Sequence, residues 1–203
     1  MVRENREYRF MPMFEIEKRA ESDEETGFVE GYASTFDTYT LFEQDGIKYN
    51  ERILPTAFEG TDMSDVVFLK DHAGTVFART KNGSVTLTVN EHGLFNRTDL
   101  TRTSSARQML EEIRAEMYTQ MSFAFTVDDD EYEERTHTRI IRHVKKIYDI
   151  SAVSFPANNF TDLSVATRSR FDGFIECERR SERERAEKVE RIKNLLAGGQ
   201  SNE

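Results

Sequence analysis

The sequence predicts an α+β fold that is mainly β and ends in a charged helix. Three observations support this prediction. Short runs of alternating apolar and polar residues fill the chain from residue 28 to residue 166. One internal segment has its apolar residues at helical spacing, and a densely charged stretch follows residue 169. The length, 203 residues, is sufficient for one domain of ordinary size with tails, or for at most two small domains.

The strands are predicted from the period-two alternation that a half-buried sheet requires. They cover residues 28–36, 66–69, 85–89, 94–100, 121–127, 138–144 and 146–156. The clearest hairpin joins residues 85–89 to 94–100 through the turn Asn-Glu-His-Gly. We expect an acidic turn at residues 128–134, and we expect Pro156 to end the last strand.

One internal helix is predicted from Ser105 onward. Ser105 followed by Gln108 forms a capping-box pattern, which satisfies free N–H groups at a helix start. The apolar residues at helical spacing are Ala106, Met109, Leu110, Ile113 and Met117. We expect this apolar stripe to pack on the sheet.

The two ends of the chain are charged. Residues 1–25 contain thirteen charged residues, and we expect a partly flexible segment with an edge strand around residues 10–16. Residues 176–193 contain thirteen charged residues of mixed sign, which predicts a solvated helix that ends at Gly198 and Gly199. The predicted organisation is therefore an N-terminal segment (1–25), one domain (26–168) and a helical tail (169–203). The tail is either a charge-stabilised helix alone or a partner contact through its apolar residues Val189 to Leu196.

Composition excludes several classes of protein. The 28 Lys and Arg residues against 38 Asp and Glu give a net charge of -10, which argues against nucleic acid as the main partner. No run of about 18 apolar residues and no secretory signal occurs, so we expect no membrane association. The single cysteine, Cys177, has no partner for a disulfide or a zinc site, which fits a reducing cytoplasm.

Three residues could carry chemistry. His72 ends a predicted strand next to Ala73 and Gly74, and imidazole groups titrate near neutral pH, which suits a general base. Ser122 lies on the non-aromatic face of its predicted strand. Asp149 is an acid within an apolar run. From the residues alone, each also fits an ordinary alternative: an exposed loop histidine, a serine on a polar strand face, and an acid facing water at an edge.

The other histidines do not predict a metal site. His137 and His143 would share a strand face, but six residues of strand separate them by about 20 Å. His92 lies in the predicted hairpin turn. The sequence has no phosphate-binding glycine loop, zinc-type cysteine pair or nucleophile elbow. We therefore expect neither a metal nor a cofactor.

Six short motifs, in order along the chain, resemble those of the prohead (capsid maturation) protease family of tailed bacteriophages. They are residues 31–36 (GYASTF), 53–58 (ILPTAF), 69–72 (LKDH), 91–94 (EHGL), 121–125 (MSFAF) and 148–158 (YDISAVSFPAN). Two positions depart from the family pattern. Ala124 stands where glycine is usual, and Asp149 stands where glutamate is commoner.

This resemblance implies a serine endopeptidase with a fold similar to herpesvirus assemblins, a β-barrel flanked by helices. Ser122 would attack the scissile carbonyl, His72 would transfer the proton, and Asp149 would orient the imidazole. The chain order His, Ser, Asp is no obstacle, because spatial geometry defines a triad.

The resemblance also implies a place of action. Related proteases act inside the procapsid in the host cytoplasm, where they cut the scaffolding portion of the major capsid protein and then themselves. The expected partners are therefore capsid protein and scaffold, together with a second copy of this chain, such as in a dimer. The charged tail would contact scaffold during encapsidation. The main alternative is a non-catalytic assembly or scaffolding factor with the same fold, and a metal-dependent hydrolase is a more distant one.

Overall fold

The computed structural model describes residues 6–11, 27–154 and 165–198. The chain divides into two compact units, residues 1–164 and 165–203. The first unit contains the strands and one α-helix, and the second contains a single long helix. The boundaries that composition predicts for the domain, 26–168, and for the tail, 169–203, stay a prediction.

The described part of the first unit is built mainly from strands, in agreement with the predicted α+β, mainly β class. The strands are β1 (Glu7–Met11), β2 (Phe28–Thr35), β3 (Tyr39–Gln44), β4 (Ile47–Ile53), β5 (Val67–Lys70), β6 (Ala73–Arg79), β7 (Val85–Val89), β8 (Gly93–Asp99), β9 (Gln120–Glu133) and β10 (Thr138–Val153). The helix α1 spans Ser104–Arg114, and short 3-10 turns lie at Pro55–Phe58, Thr80–Asn82 and Glu134–Thr136.

The strands form two sheets. One has the order β1-β9-β10-β4-β3, with β5 paired to β10 and β6 paired to β5; the other has the order β2-β8-β7. Strand β10 organises the larger sheet. It pairs antiparallel with β9 along its length, and on its other edge it pairs in parallel first with β4 and then with β5. Neither sheet closes on itself among the described strands, so the barrel implied by the resemblance remains a prediction.

The hydrophobic core joins both sheets to α1. It includes Val29 from β2, Phe68 from β5, Leu94 from β8 and Phe123 from β9, and Met109 from the helix. The predicted hairpin of residues 85–100 is confirmed, because β7 and β8 pair antiparallel from Val85 to Val89.

The predicted helix exists, but its start differs from the prediction. Thr103, not Ser105, is the N-cap: its hydroxyl accepts a hydrogen bond from the Ala106 N–H at 3.1 Å. The capping-box prediction at Ser105 and Gln108 was therefore wrong. Met117 lies beyond the end of the helix and is 61% exposed, so it does not belong to the buried stripe.

The acidic turn predicted at residues 128–134 was also wrong. Strand β9 continues to Glu133, and β10 is one strand where two were predicted. The reason is charge pairing between the two strands. Asp129 lies 2.8 Å from Arg142, and Asp130 lies 2.6 Å from Arg139. The basic residues of β10 therefore stabilise an acidic segment that would otherwise favour a turn.

The two charged ends are described only in part. An edge strand is present at Glu7–Met11, whereas residues 12–16 lie outside the described residues, as does Pro156. The predicted C-terminal helix is present as α2 (Val165–Gly198), with an ion pair of 3.2 Å between Arg180 and Glu184. Val189 and Ile192 are 51% and 56% exposed. In the described part of the chain, neither helix has a stretch apolar and long enough to span a lipid bilayer.

Candidate active site

His72, Ser122 and Asp149 lie together, on three neighbouring parts of the larger sheet. Ser122 is on β9 and Asp149 is on β10, and His72 follows the end of β5. The imidazole bridges the other two side chains. Its Nε2 atom is 2.6 Å from Ser122 Oγ, and its Nδ1 atom is 2.5 Å from Asp149 Oδ1. A carboxylate accepts hydrogen bonds, so the proton belongs on Nδ1 and the Nε2 lone pair faces the serine hydroxyl.

The position of His72 depends on a tight turn. Lys70 pairs with Ala73 across the β5–β6 hairpin, and the two residues between them, Asp71 and His72, have φ angles of 46° and 56°. Positive φ at both central residues is the signature of a type I′ turn, which usually contains glycine or asparagine. For a residue other than glycine or asparagine, this left-handed conformation costs about 1 kcal/mol or more. The sequence gives no sign of this turn, because Asp-His is an unusual pair for it.

Hydrogen bonds to β10 hold this turn. The Asp71 N–H donates to the Ala152 carbonyl at 3.1 Å, and the Ser154 N–H donates to the Asp71 carboxylate at 3.2 Å. The His72 N–H donates to Ser151 Oγ at 3.2 Å. These contacts offset the strain of the turn and fix the imidazole beside β10.

Asp149 reaches the site because β10 contains a bulge. Ile147 pairs with Phe125 and Asp149 pairs with Ala124, so Tyr148 is an extra residue on β10. Regular alternation would place residue 149 on the face of Ile147, in the core. The extra residue shifts the alternation of side chains along β10 by one position, so Asp149 lies on the same face of the sheet as Ala124 and Ser122. Asp149 is 3% exposed, so the alternative of a water-facing edge is wrong.

Ser151 is a fourth residue at this site, and it was not predicted from the sequence. Its hydroxyl donates to Asp149 Oδ1 at 2.9 Å and also lies 3.2 Å from His72 Nδ1. Ser151 is directly opposite Ser122 in the β9–β10 pairing. It therefore links the carboxylate, the imidazole and the turn. The available sequence signal was its place two residues after Asp149, which puts both side chains on one strand face.

A scan against protein families matches residues 14–172 to the family described as caudovirus prohead serine protease. The chain belongs to this family. The matched residues include His72, Ser122, Asp149 and Ser151, so the resemblance found in the short motifs is confirmed at the level of the family. Neither the search of curated proteins nor the search of solved structures found a match.

In this family member, strand β1 precedes the matched residues and covers the serine. It pairs antiparallel with β9 from Met121 to Phe125. The Ser122 hydroxyl donates to the Arg9 carbonyl at 2.8 Å, and the Tyr8 ring lies edge-on to the His72 ring at a centroid distance of 4.7 Å. Ser122 has no exposed surface. Access to its hydroxyl therefore requires a change at β1.

A buried ionic cluster attaches β1 to the sheet. We define the ionic cluster as Glu7, Arg9, Tyr39, Glu51, Asp130 and Arg139. Arg9 contacts both oxygens of Glu51, at 2.5 and 2.6 Å, and Arg139 contacts Glu7 at 2.6 Å and Asp130 at 2.6 Å. Its guanidinium and carboxylate groups are nearly completely buried, and such charges require partners.

The ionic cluster shifts the pKa values of its members. Burial by itself raises the pKa of Glu7, but the charge of Arg9 and the hydrogen bond from Arg139 outweigh it and lower this pKa to about 2. Burial and the neighbouring Glu51 carboxylate raise the pKa of Tyr39 well above its ordinary value. Glu7 is therefore ionised at neutral pH, and Tyr39 is a neutral donor to Glu51 at 2.5 Å.

The remaining histidines lie apart from this site. His92 is in the β7–β8 turn with an exposed side chain, as predicted. His137 lies in the turn before β10 and not on the strand, so the prediction that it shares a strand face with His143 was wrong. His143 lies 2.5 Å from Asp128. Within the described residues, no group of three or more side chains could hold a metal ion.

A cleft of about 500 Å³ lies beside the site, between the β5–β6 hairpin and α1. Lys70, Asp71 and Ala73 line one side, and Gln108 and Glu112 line the other. Ser122 does not line it. The cleft therefore borders the turn that carries His72, whereas the serine lies under β1.

Proposed function

We propose that this chain is a serine endopeptidase of phage capsid maturation, with Ser122 as nucleophile, His72 as general base and acid, and Asp149 as the group that orients the imidazole. The observation that supports it most is the continuous chain of contacts from Asp149 Oδ1 through both His72 nitrogens to Ser122 Oγ, at 2.5 and 2.6 Å. Family membership supports the peptidase class.

The proposed reaction has two halves. His72 Nε2 takes the Ser122 proton as Oγ bonds to the scissile carbonyl carbon. The imidazolium, stabilised by Asp149, then gives that proton to the leaving amine as the C–N bond breaks, which leaves an acyl-serine. In the second half, water attacks the acyl carbon and gives one proton to His72. The Oγ–C bond breaks, the proton returns to Oγ, and a free carboxylate product remains.

The proposed substrate is the scaffolding portion of the major capsid protein, with self-cleavage to follow, inside the procapsid in the host cytoplasm. A homo-oligomer and an assemblin-like barrel arrangement are parts of the same proposal. The two departures from the family pattern, at Asp149 and Ala124, are compatible with the proposed function. Asp149 reaches His72 despite a side chain one methylene shorter than glutamate, and Ala124 is accommodated in a buried position.

The test is intact-mass analysis of the chain co-expressed with the major capsid protein from the same genome. We expect wild type to shorten the capsid protein and Ser122→Ala to leave it at full length. Ser104→Ala, at an exposed serine at the start of α1, is the matched control and should behave as wild type. Processing that persists in Ser122→Ala, with assembly lost only when the whole chain is absent, would favour a non-catalytic assembly factor.

A further inference from the structure

The edge of β9 that carries Ser122 is already paired with an extended segment of the same chain. Residues Glu7–Met11 pair with β9 in regular antiparallel register, with Phe10 opposite Ser122. Extended peptides bind to proteins in this way when they add a strand to a sheet edge. The Arg9 carbonyl accepts a hydrogen bond from the Ser122 hydroxyl at 2.8 Å. The peptide bond between Arg9 and Phe10 is therefore the one presented to the proposed nucleophile.

A substrate cannot reach Ser122 while β1 is in place, because Ser122 is 0% exposed and the Tyr8 ring packs on His72. The Ser122 hydroxyl has a single proton, and two acceptors compete for it: His72 Nε2 at 2.6 Å and the Arg9 carbonyl at 2.8 Å. Donation to Arg9 withdraws the proton from the base. Strand β1 thus occupies the position that a substrate strand needs.

The side chain of Arg9 indicates which type of residue a substrate strand would need at the same position. It turns away from the Ser122 face into the ionic cluster, where its guanidinium contacts both carboxylate oxygens of Glu51 at 2.5 and 2.6 Å. Glu51 is 0% exposed. A two-oxygen contact of this kind matches the planar fork of arginine.

Charge in the site without β1 favours a cation. Removing Glu7 and Arg9 leaves the carboxylates of Glu51 and Asp130 with the single guanidinium of Arg139, which contacts Asp130 at 2.6 Å and Glu51 at 3.0 Å. Two buried carboxylates that share one guanidinium leave an excess of negative charge, which is unfavourable. An incoming strand that supplies a positive side chain at the position of Arg9 restores the contact, and a neutral side chain does not.

We infer that peptide substrates bind to the edge of β9 in place of β1, and that Glu51 selects an arginine or lysine immediately before the cleaved bond. This inference rests on the proposed peptidase function. The family match begins at residue 14, after β1, so β1 itself lies outside the matched region. Glu51 acts as a specificity-determining residue and takes no part in bond making or breaking.

The test maps every bond that the full-length chain cuts in the capsid protein and in itself, by mass spectrometry of the new termini. We expect Arg or Lys before each cut. A peptide spanning a mapped site is then compared with its counterpart carrying glutamine at that position. The kcat/KM of wild type should fall at least about tenfold with the glutamine peptide.

Two variants complete the test. In Glu51→Gln the preference for the basic peptide should fall to within about threefold. Glu43→Gln, at an exposed carboxylate on the neighbouring strand β3, should keep the wild-type preference. The peptide comparison on wild type alone decides the question if Glu51→Gln does not fold.

The outcomes separate this inference from the proposed function. Ser122-dependent cuts that follow uncharged or acidic residues would overturn the inference and leave the peptidase function intact. A glutamine peptide cut as fast as the basic one would have the same meaning. A complete absence of cuts in wild type, in the capsid protein and in the chain itself, would overturn both.

Discussion

His72 Nε2 lies 2.6 Å from Ser122 Oγ, although the two residues are 50 positions apart in the chain. The sheet brings them together. Strands β9, β10 and β5 are neighbours, and each contributes one member of the site, directly or through the turn that follows it. The bulge at Tyr148 and the left-handed turn at His72 complete the arrangement. Both are local irregularities, and each one positions a side chain of the proposed triad.

The carboxylate of Asp149 is predicted to fix the imidazole tautomer. Asp149→Asn should preserve the geometry but present an amide that can donate to Nδ1, so the rate of capsid cleavage should fall about 10³- to 10⁴-fold. Asp149→Glu should lose less, about 10- to 100-fold, because it keeps a carboxylate and the family pattern accepts glutamate. Equal losses in the two variants, measured as kcat, would contradict this role.

Ser151 is predicted to act as a positioning residue. Ser151→Ala removes the donor to Asp149 and the acceptor for the His72 N–H, at 2.9 and 3.2 Å. We expect kcat to fall about tenfold or more, with KM nearly unchanged, because a misplaced base slows the chemical step. Ser154→Ala, which removes only a 3.4 Å hydroxyl contact to Asp71, is the control. A change in KM alone would count against the role of Ser151.

Acid is predicted to weaken the attachment of β1. The pKa of Glu7 is lowered from 4.5 to about 2 in the folded chain, so its ionised form stabilises the fold fully above about pH 4.5. That contribution, of the order of 3 kcal/mol, is lost as the pH falls toward 2. Urea unfolding of wild type and Glu7→Gln between pH 2 and 5 measures it. The free energy of unfolding should fall more steeply with decreasing pH in wild type than in Glu7→Gln. Identical slopes would show that Glu7 does not supply this stability.

The exposed apolar residues of α2 are predicted to contact the scaffold. Replacing Val189 and Ile192 by serine should lower the number of copies packaged in procapsids, because both side chains are more than half exposed. Peptide cleavage should not change. Glu190→Ser, between them, is the control. An unchanged copy number in the double variant would rule out this contact.

Sequence patterns predicted the regular parts of this fold. The β7–β8 hairpin follows from alternation around a turn sequence, and the buried stripe of α1 follows from helical spacing. Motif order along the chain predicted that His72, Ser122 and Asp149 belong to one site. These features depend on residues close in sequence, or on a resemblance whose motifs run from residue 31 to residue 158.

The irregular parts depend on contacts that local sequence does not contain. The acidic half of β9 is a strand because Arg139 and Arg142 of β10 form ion pairs with Asp130 and Asp129. The bulge before Asp149 and the role of Ser151 follow from pairing registers. The position of β1 depends on an ionic cluster whose members come from five different strands.

Ser122 and His72 are proposed to act as one catalytic unit, and a double-mutant cycle on the rate of capsid cleavage is the sharpest test of that proposal. We predict that Ser122→Ala, His72→Ala and the double variant each lose about 10⁴- to 10⁶-fold and reach the same residual rate. Losses that multiply in the double variant, or near-wild-type cleavage by either single variant, would show that the two residues do not act as a unit.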